Sequence, residues 1–252
     1  MKGEQDTASQ GNMLAIDAGN TRIKWGMHDG ARWLERSWVE TARAADLAAV
    51  FAGLPPLRLV VAANVAGAAV QEQLASLLPP PVEVRWLESE HARCGVRNGY
   101  GNPRELGCDR WAALIGAWRL HGGPAVVVNA GTALTVDALA SDGVFAGGMI
   151  APGADLMRRA LAANTAALKL QPGQFSFFPD STGDAIMSGV INALAGAVER
   201  MARFLEETGQ AAPLCVLSGG GAALIEPHLN LEVKVVDNLV LEGLLAIARE
   251  AA

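Results

Sequence analysis

From Met13 the chain opens on an apolar run, Met13-Leu14-Ala15-Ile16, that drives into Asp17-Ala18-Gly19-Asn20-Thr21, after which Ile23, Trp25 and Met27 alternate with Arg22, Lys24 and Gly26. Alternation with a period of two marks a half-buried strand, so Met13 to Gly30 predicts two antiparallel strands joined by a tight turn at Gly19, Asn20 and Thr21. Ala31 to Glu40 reads as a third strand, with Trp33 and Trp38 as packing anchors. Asp46 to Leu54 reads as a short helix stopped by Pro55-Pro56. Leu57 to Ala63 is a continuous apolar run of the kind that forms a buried parallel strand, and a helix around Ala68 to Leu78 and a strand at Val82 to Leu87 follow. Three meandering strands followed by alternating helix and strand describe a mixed sheet covered by helices.

His91 to Leu106, rich in Gly and Asn, has no regular period and reads as a long loop. It runs into Gly107-Cys108-Asp109-Arg110 and a periodic helix, Trp111 to Leu120, closed by Gly122-Gly123-Pro124. A domain boundary is placed here, giving one domain over residues 13–122 and a second over 123–252. The second half repeats the opening of the first: Ala125 to Val136 lies over Met13 to Thr21, with Asn129 where Asp17 sits and Gly131 on Gly19. A glycine-rich third strand ends in Gly147-Gly148-Met149-Ile150-Ala151-Pro152-Gly153. Helices at about Ala154 to Ala166 and Asp184 to Glu207, an apolar strand at Leu214 to Leu217, the turn Ser218-Gly219-Gly220-Gly221 and a last helix, Leu239 to Glu250, complete the chain. Duplicated hairpins with small-residue turns can face one another across a cleft and hold a polyphosphate from both sides.

At 252 residues and 51% hydrophobic content there is ample core for one large domain or two of ordinary size. A formal net charge of -6, with no Lys/Arg-rich run, argues against a nucleic-acid surface and for small ligands. The three cysteines, Cys94, Cys108 and Cys215, are far apart and show no metal-ligand spacing, and the four histidines are scattered, which fits a reducing cytoplasm. The polar opening MKGEQDTASQGN has no apolar core of a signal peptide and reads as a disordered or non-native extension over residues 1–12. No apolar run reaches the roughly 18 residues of a membrane helix.

The first turn offers close backbone approach at Gly19, exposed N–H groups, and donors on Asn20 and Thr21, all suited to phosphate oxygens. Asp17, at the end of a buried strand, can hold Mg2+ through water. The same features also describe an ordinary hairpin, with Asn-Thr chosen for turn geometry and Asp17 as a cap. Neither a P-loop nor a strand-following GxGxxG occurs.

Taken together and in order, Asp17-Ala18-Gly19-Asn20-Thr21, Tyr100 with Pro103 and Leu106-Gly107-Cys108-Asp109-Arg110, Asn129-Ala130-Gly131-Thr132-Ala133, and Gly147 to Gly153 resemble type III pantothenate kinases from Met13 almost to the end of the chain. The resemblance implies an α/β fold of two ribonuclease-H-like, actin-like ATPase domains around a nucleotide cleft. It also implies a homodimer, and ATP-dependent phosphorylation of pantothenate to 4'-phosphopantothenate, the first step of coenzyme A synthesis. Carried over by position, Asp17, Ala18, Gly19, Asn20, Thr21, Arg22, Ile23 and Lys24 hold the ATP phosphates, with Asp17 near Mg2+ and Thr132 donating from the second hairpin. Tyr100, Gly107, Cys108, Asp109, Arg110 and Thr182 match positions that bind pantothenate, and Asp109 matches the catalytic base. On sequence grounds alone, Asp109 reads first as an N-cap carboxylate and Arg110 as a solvated first-turn arginine, and Thr182 is equally an N-cap. Asn129 departs from the family pattern, where an aspartate associated with a monovalent cation, K+ or NH4+, normally stands. Losing that charge predicts a weakened or altered K+/NH4+ dependence. Two alternatives share this pattern: a kinase of the same superfamily acting on another small substrate, and a nucleotide-binding regulatory protein.

Overall fold

The computed structural model describes residues 11–82, 84–165, 168 and 170–250. Most of the polar extension at 1–12, and Ala166 at the end of the expected helix, lie outside the described residues. The chain forms two compact units that interleave in sequence: Met1–Glu90, Arg104–Gly116 and Val240–Ala252 in the first, His91–Pro103 and Ala117–Leu239 in the second. The single cut expected at 122/123 divides the chain differently, because it gives the last helix to the second half and the segment from His91 to the first. Among the described residues no helix is long and apolar enough to cross a membrane.

The first unit is built on a five-stranded sheet of order β3-β2-β1-β4-β5. Strands β1 (Asn12–Ala18), β2 (Arg22–His28) and β3 (Trp33–Glu40) form an antiparallel meander, and β4 (Leu57–Asn64) and β5 (Val84–Trp86) run parallel to β1. Helices α1 (Leu47–Ala52) and α2 (Ala68–Leu77) lie between them in sequence. Leu14, Ile16, Ala18, Ile23, Trp25, Val60 and Ala62 point from the sheet into one core, with Leu47, Phe51 and Leu74 from the helices. The alternation in β1 and β2 therefore sends Asp17 and Lys24 to the opposite face. On that face the last helix, α7 (Leu239–Glu250), brings Leu244, Leu245 and Ala248 to Met13, Ala15, His28 and Trp33 around a small void. Glu242 accepts a hydrogen bond from Trp33 Nε1 at 2.9 Å, and Arg249 Nη2 donates to the Gly30 carbonyl at 3.0 Å. Gly243 is where α7 meets α3 (Cys108–His121): a Cβ there would overlap the Ala112 carbonyl.

The second unit repeats the plan. Strands β8 (Ala125–Ala130), β9 (Ala133–Leu139) and β10 (Val144–Pro152) form the meander, and β11 (Leu214–Ser218) and β12 (Val233–Val235) run parallel beside β8. The sheet order β12-β11-β8-β9-β10-β7-β6 contains the order of the first sheet. Its extra edge is a hairpin, β6 (Ala92–Arg93) and β7 (Val96–Asn98), inside the stretch expected to be a loop. Strands of two and three residues are too short to show a period, and β7 forms by pairing with β10. Helices α4 (Ala154–Asn164), α5 (Thr182–Glu207) and the short α6 (Ala222–Ile225) complete the unit. Val190, Leu194, Val198 and Ala202 of α5 join Val126, Val128, Leu134, Val136, Cys215 and Leu217 in its core.

Candidate active site

In the first unit, Asp17 pairs with Lys24 across β1 and β2, and Lys24 pairs with Trp38 across β2 and β3. Directly opposed residues project from the same face, so Asp17, Lys24 and Trp38 form a row across three strands, with Arg22 one step nearer the turn. Asp17 is only 8% exposed. Burial raises its carboxyl pKa to about 6; the positive charge of Lys24 opposes the rise, and the negative charge of Asp109 adds to it. The turn is tied at several points: Gly19 N–H donates to the Arg22 carbonyl at 3.0 Å, Thr41 Oγ1 to the Gly19 carbonyl at 2.6 Å, and Thr41 N–H to the Thr21 carbonyl at 3.0 Å. Asn20, Thr21 and Arg22 are left exposed. Ala18 and Ile23 are fully buried in the core, so their side chains are closed to a ligand and only their main chain is available. Trp38, expected as a packing anchor, is 49% exposed, and the Arg22 guanidinium carbon lies 4.1 Å from the centre of its ring.

The same unit carries the start of α3. The Gly107 carbonyl accepts the first helical bond, from Trp111 N–H at 2.9 Å, which places Asp109 inside the first turn rather than at the cap. Asp109 Oδ1 accepts from Arg110 N–H at 2.8 Å, and a Cβ at position 107 would sit 2.7 Å from that same oxygen. Glycine at 107 thus leaves the carboxylate its place. Arg110 is 7% exposed and so is not a solvated arginine. Cys108 Sγ donates to the Asn64 carbonyl at 3.4 Å, and burial pushes its thiol up to about 11, so it stays protonated at neutral pH.

In the second unit, Asn129 pairs with Thr135, and Thr135 with Ile150. This row is the counterpart of Asp17, Lys24 and Trp38, without a charge. Thr135 escapes sequence reasoning because the second turn is a residue shorter; its only signal is its place opposite Asn129. Gly131 N–H donates to the Ala133 carbonyl at 3.0 Å and Gly153 N–H to the Thr132 carbonyl at 2.9 Å, leaving Thr132 exposed at the turn. Against this hairpin lies the triple-glycine turn. Gly221 N–H donates to the Ala130 carbonyl at 2.8 Å. Gly219 has φ +100°, and a Cβ there would lie 2.7 Å from Asn129 Oδ1.

Tyr100 stands elsewhere in that unit, its ring centre 5.1 Å from that of Phe145 and its N–H donating to Asn98 Oδ1 at 3.1 Å. Thr182 opens α5 but does not cap it; Ser181 Oγ does, accepting from Asp184 N–H at 3.2 Å. Thr182 is exposed and lines an open apolar cavity of about 660 Å3 with Met157, Leu161, Ala185, Ile186 and Gly189. The structure thus gathers Asp17, the Gly19–Lys24 turn and Gly107–Arg110 in one unit, and Asn129, Thr132, Tyr100 and Thr182 on separate elements of the other.

Among the described residues no cluster of three or more His, Cys, Asp or Glu could hold a metal by itself. Mg2+ keeps several waters and binds through one or two carboxylates plus substrate phosphates, a role that buried Asp17, with Asp109 close enough to perturb it, fits.

Two solved structures share the fold. One is described as a conserved Baf family transcriptional activator from Campylobacter jejuni (TM-score 0.61, 18% identical, covering 94% of this chain and 98% of that one). The other is MreB 5 of Spiroplasma citri bound to AMPPNP (TM-score 0.51, 10% identical, covering 97% and 98%). Two mixed α/β sheets with this shared strand order are the actin-like ATPase architecture. Proteins named type III pantothenate kinase from Nitrosospira multiformis and Aromatoleum aromaticum are 48% and 50% identical over 241 residues, covering 95% of this chain and 92% and 99% of theirs. The family profile described as type III pantothenate kinase matches residues 13–203. The chain belongs to the type III pantothenate kinase family.

Proposed function

We propose that the protein transfers the γ-phosphoryl group of ATP to the 4'-hydroxyl of pantothenate, releasing ADP and 4'-phosphopantothenate at the entry to coenzyme A synthesis. The observation that carries this reading is the pairing, in one unit, of a buried Asp17 beside the phosphate-type turn with Asp109 at the start of α3, each within a motif of the family. Phosphoryl transfer demands positioning and charge neutralisation more than covalent chemistry. Gly19, Asn20, Thr21, Arg22 and Lys24 supply main-chain and side-chain donors to phosphate oxygens, and Thr132 supplies a hydroxyl from the second hairpin. Asp17 is the residue that would hold Mg2+, and the ion when bound would supply charge neutralisation on the transferring group. Asp109 accepts the hydroxyl proton as the new P–O bond forms, and Arg110, Tyr100 and Thr182 orient pantothenate.

The remaining assignments extend the same reading: the protein works in the cytoplasm as a homodimer, and its monovalent-cation dependence is weak because Asn129 offers an amide oxygen where a carboxylate is usual. The deciding assay couples ADP release to a readout with and without pantothenate, with hexoses and acetate as controls. Release stimulated by pantothenate alone is expected; stimulation by a control and not by pantothenate overturns the substrate assignment. Asp109→Asn is expected to lower kcat by about 100-fold or more with little change in the ATP KM. Full pantothenate-dependent turnover in that variant overturns the base.

A further inference from the structure

We propose that Trp38 is a positioning residue for ATP, holding the Arg22 guanidinium by its face so that the in-plane N–H edge is turned to the phosphates. This rests on the reading of the Gly19–Lys24 turn as the phosphate site and adds to it a residue on another strand.

The β2–β3 register sets the geometry. Trp38 is opposite Lys24, and Arg22, two residues before Lys24, is its diagonal neighbour on the same face, within reach of a large aromatic side chain. The guanidinium carbon sits 4.1 Å from the centre of the indole ring. Trp38 lies on the edge strand and is 49% exposed, so core packing does not account for a tryptophan here. The residue directly opposite Arg22 is Glu40, yet no ion pair or hydrogen bond engages the Arg22 guanidinium among the described residues. A guanidinium carbon 4.1 Å over a ring fits face-on stacking, an arrangement that leaves the in-plane donors free to meet phosphate oxygens.

A second arginine on the sheet shows the contrast. Arg36 lies 5.9 Å from the centre of the Trp33 ring, but its Nη1 stands 3.8 Å from Glu242 Oε1, and Glu242 also accepts from Trp33 Nε1. That arginine is committed to holding α7. Arg22 is held by a ring alone, one residue after the turn. An exposed arginine on a four-torsion stem loses rotamer freedom when it grips a ligand, and prior stacking removes part of that loss before ATP arrives.

The test is a double-mutant cycle on the full-length protein, with ATP and pantothenate KM and kcat measured separately. Trp38→Leu keeps bulk and removes the π face; Trp38→Phe keeps the face; Arg22→Gln removes the charge. Arg22→Gln and Trp38→Leu are each expected to raise the ATP KM about 3- to 5-fold, the size of an exposed cation–π contact. Pantothenate KM should stay unchanged, Trp38→Phe should restore ATP KM to within about twofold, and the Trp38→Leu/Arg22→Gln double variant should be no worse than Arg22→Gln alone. Arg36→Gln is the control and should leave ATP KM as it is. If Arg22→Gln raises ATP KM while Trp38→Leu does not, or if the two effects multiply, the positioning role is overturned and the phosphate turn survives. Equal loss in the Leu and Phe variants also overturns it. If Arg22→Gln has no effect, Arg22 is not a phosphate ligand and the proposal falls with it, while pantothenate-dependent ADP release still judges the kinase reading independently.

Discussion

Asp17 is the residue at which stability and proposed function pull apart. Its carboxyl titrates near 6 when folded against an ordinary value of 3.8, so between about pH 4 and 6 the folded chain binds more protons than the unfolded one. Stability from this group is therefore full below about pH 4 and is lost as pH rises through 6, a total near 3 kcal/mol. Asp17→Asn removes the titration. Its melting temperature at pH 8 should exceed that of the parent by about 5 °C, and the difference should shrink toward pH 4. The same substitution should abolish Mg2+-dependent ADP release, since a metal needs the ionised carboxylate. For the parent, the KM for ATP·Mg2+ should rise as pH falls below about 6. A variant that is both less stable at pH 8 and fully active would contradict both halves of this account. Asn129 makes the complementary prediction: a K+ titration of the initial rate should give at most a shallow rise, and Asn129→Asp should steepen it.

At the scale of elements, two glycines separate packing from chemistry. Gly107→Ala puts a methyl group against the Asp109 carboxylate, which can rotate away, so kcat should fall by about 10-fold or more with little change in melting temperature. Gly243→Ala drives a methyl group into the Ala112 carbonyl, which cannot rotate away, and α7 must shift off α3; stability should fall by about 1–3 kcal/mol, read as a lower melting temperature. The first hairpin was legible because, beyond its glycine turn, a period of two runs unbroken through Ile23, Trp25 and Met27. Three features were not. The β6–β7 hairpin carries no local period and exists through its ladder to β10. The cap of α5 went to Ser181 rather than Thr182, since adjacent hydroxyl residues are equally good caps and only the position of Asp184 N–H chooses between them. Trp38 has the composition of an anchor, and its exposure follows from β3 being the sheet edge, a fact of topology. In the site, Asp17 and Asp109 could be named from motifs, whereas their mutual influence and the protonated Cys108 depend on burial, which no spacing encodes.

At the scale of the whole molecule, the same five-strand plan occurs twice with different chemistry on it. The row Asp17, Lys24 and Trp38 carries charge of both signs, while its counterpart Asn129, Thr135 and Ile150 carries none. The duplicated scaffold thus carries ionisable side chains along this row in one unit and neutral ones along it in the other, as the proposed division between metal and proton chemistry and neutral donors requires. The interleaving of the units has a consequence for how the molecule is made. The helix that covers Met13, Ala15 and His28 is made only after the whole second unit, so as the polypeptide leaves the ribosome its earliest sheet waits, one side bare, until Leu239–Glu250 has emerged. A stop codon placed just after Asn238 would spare every strand among the described residues, yet its damage would surface far up the chain, in the sheet that emerged first.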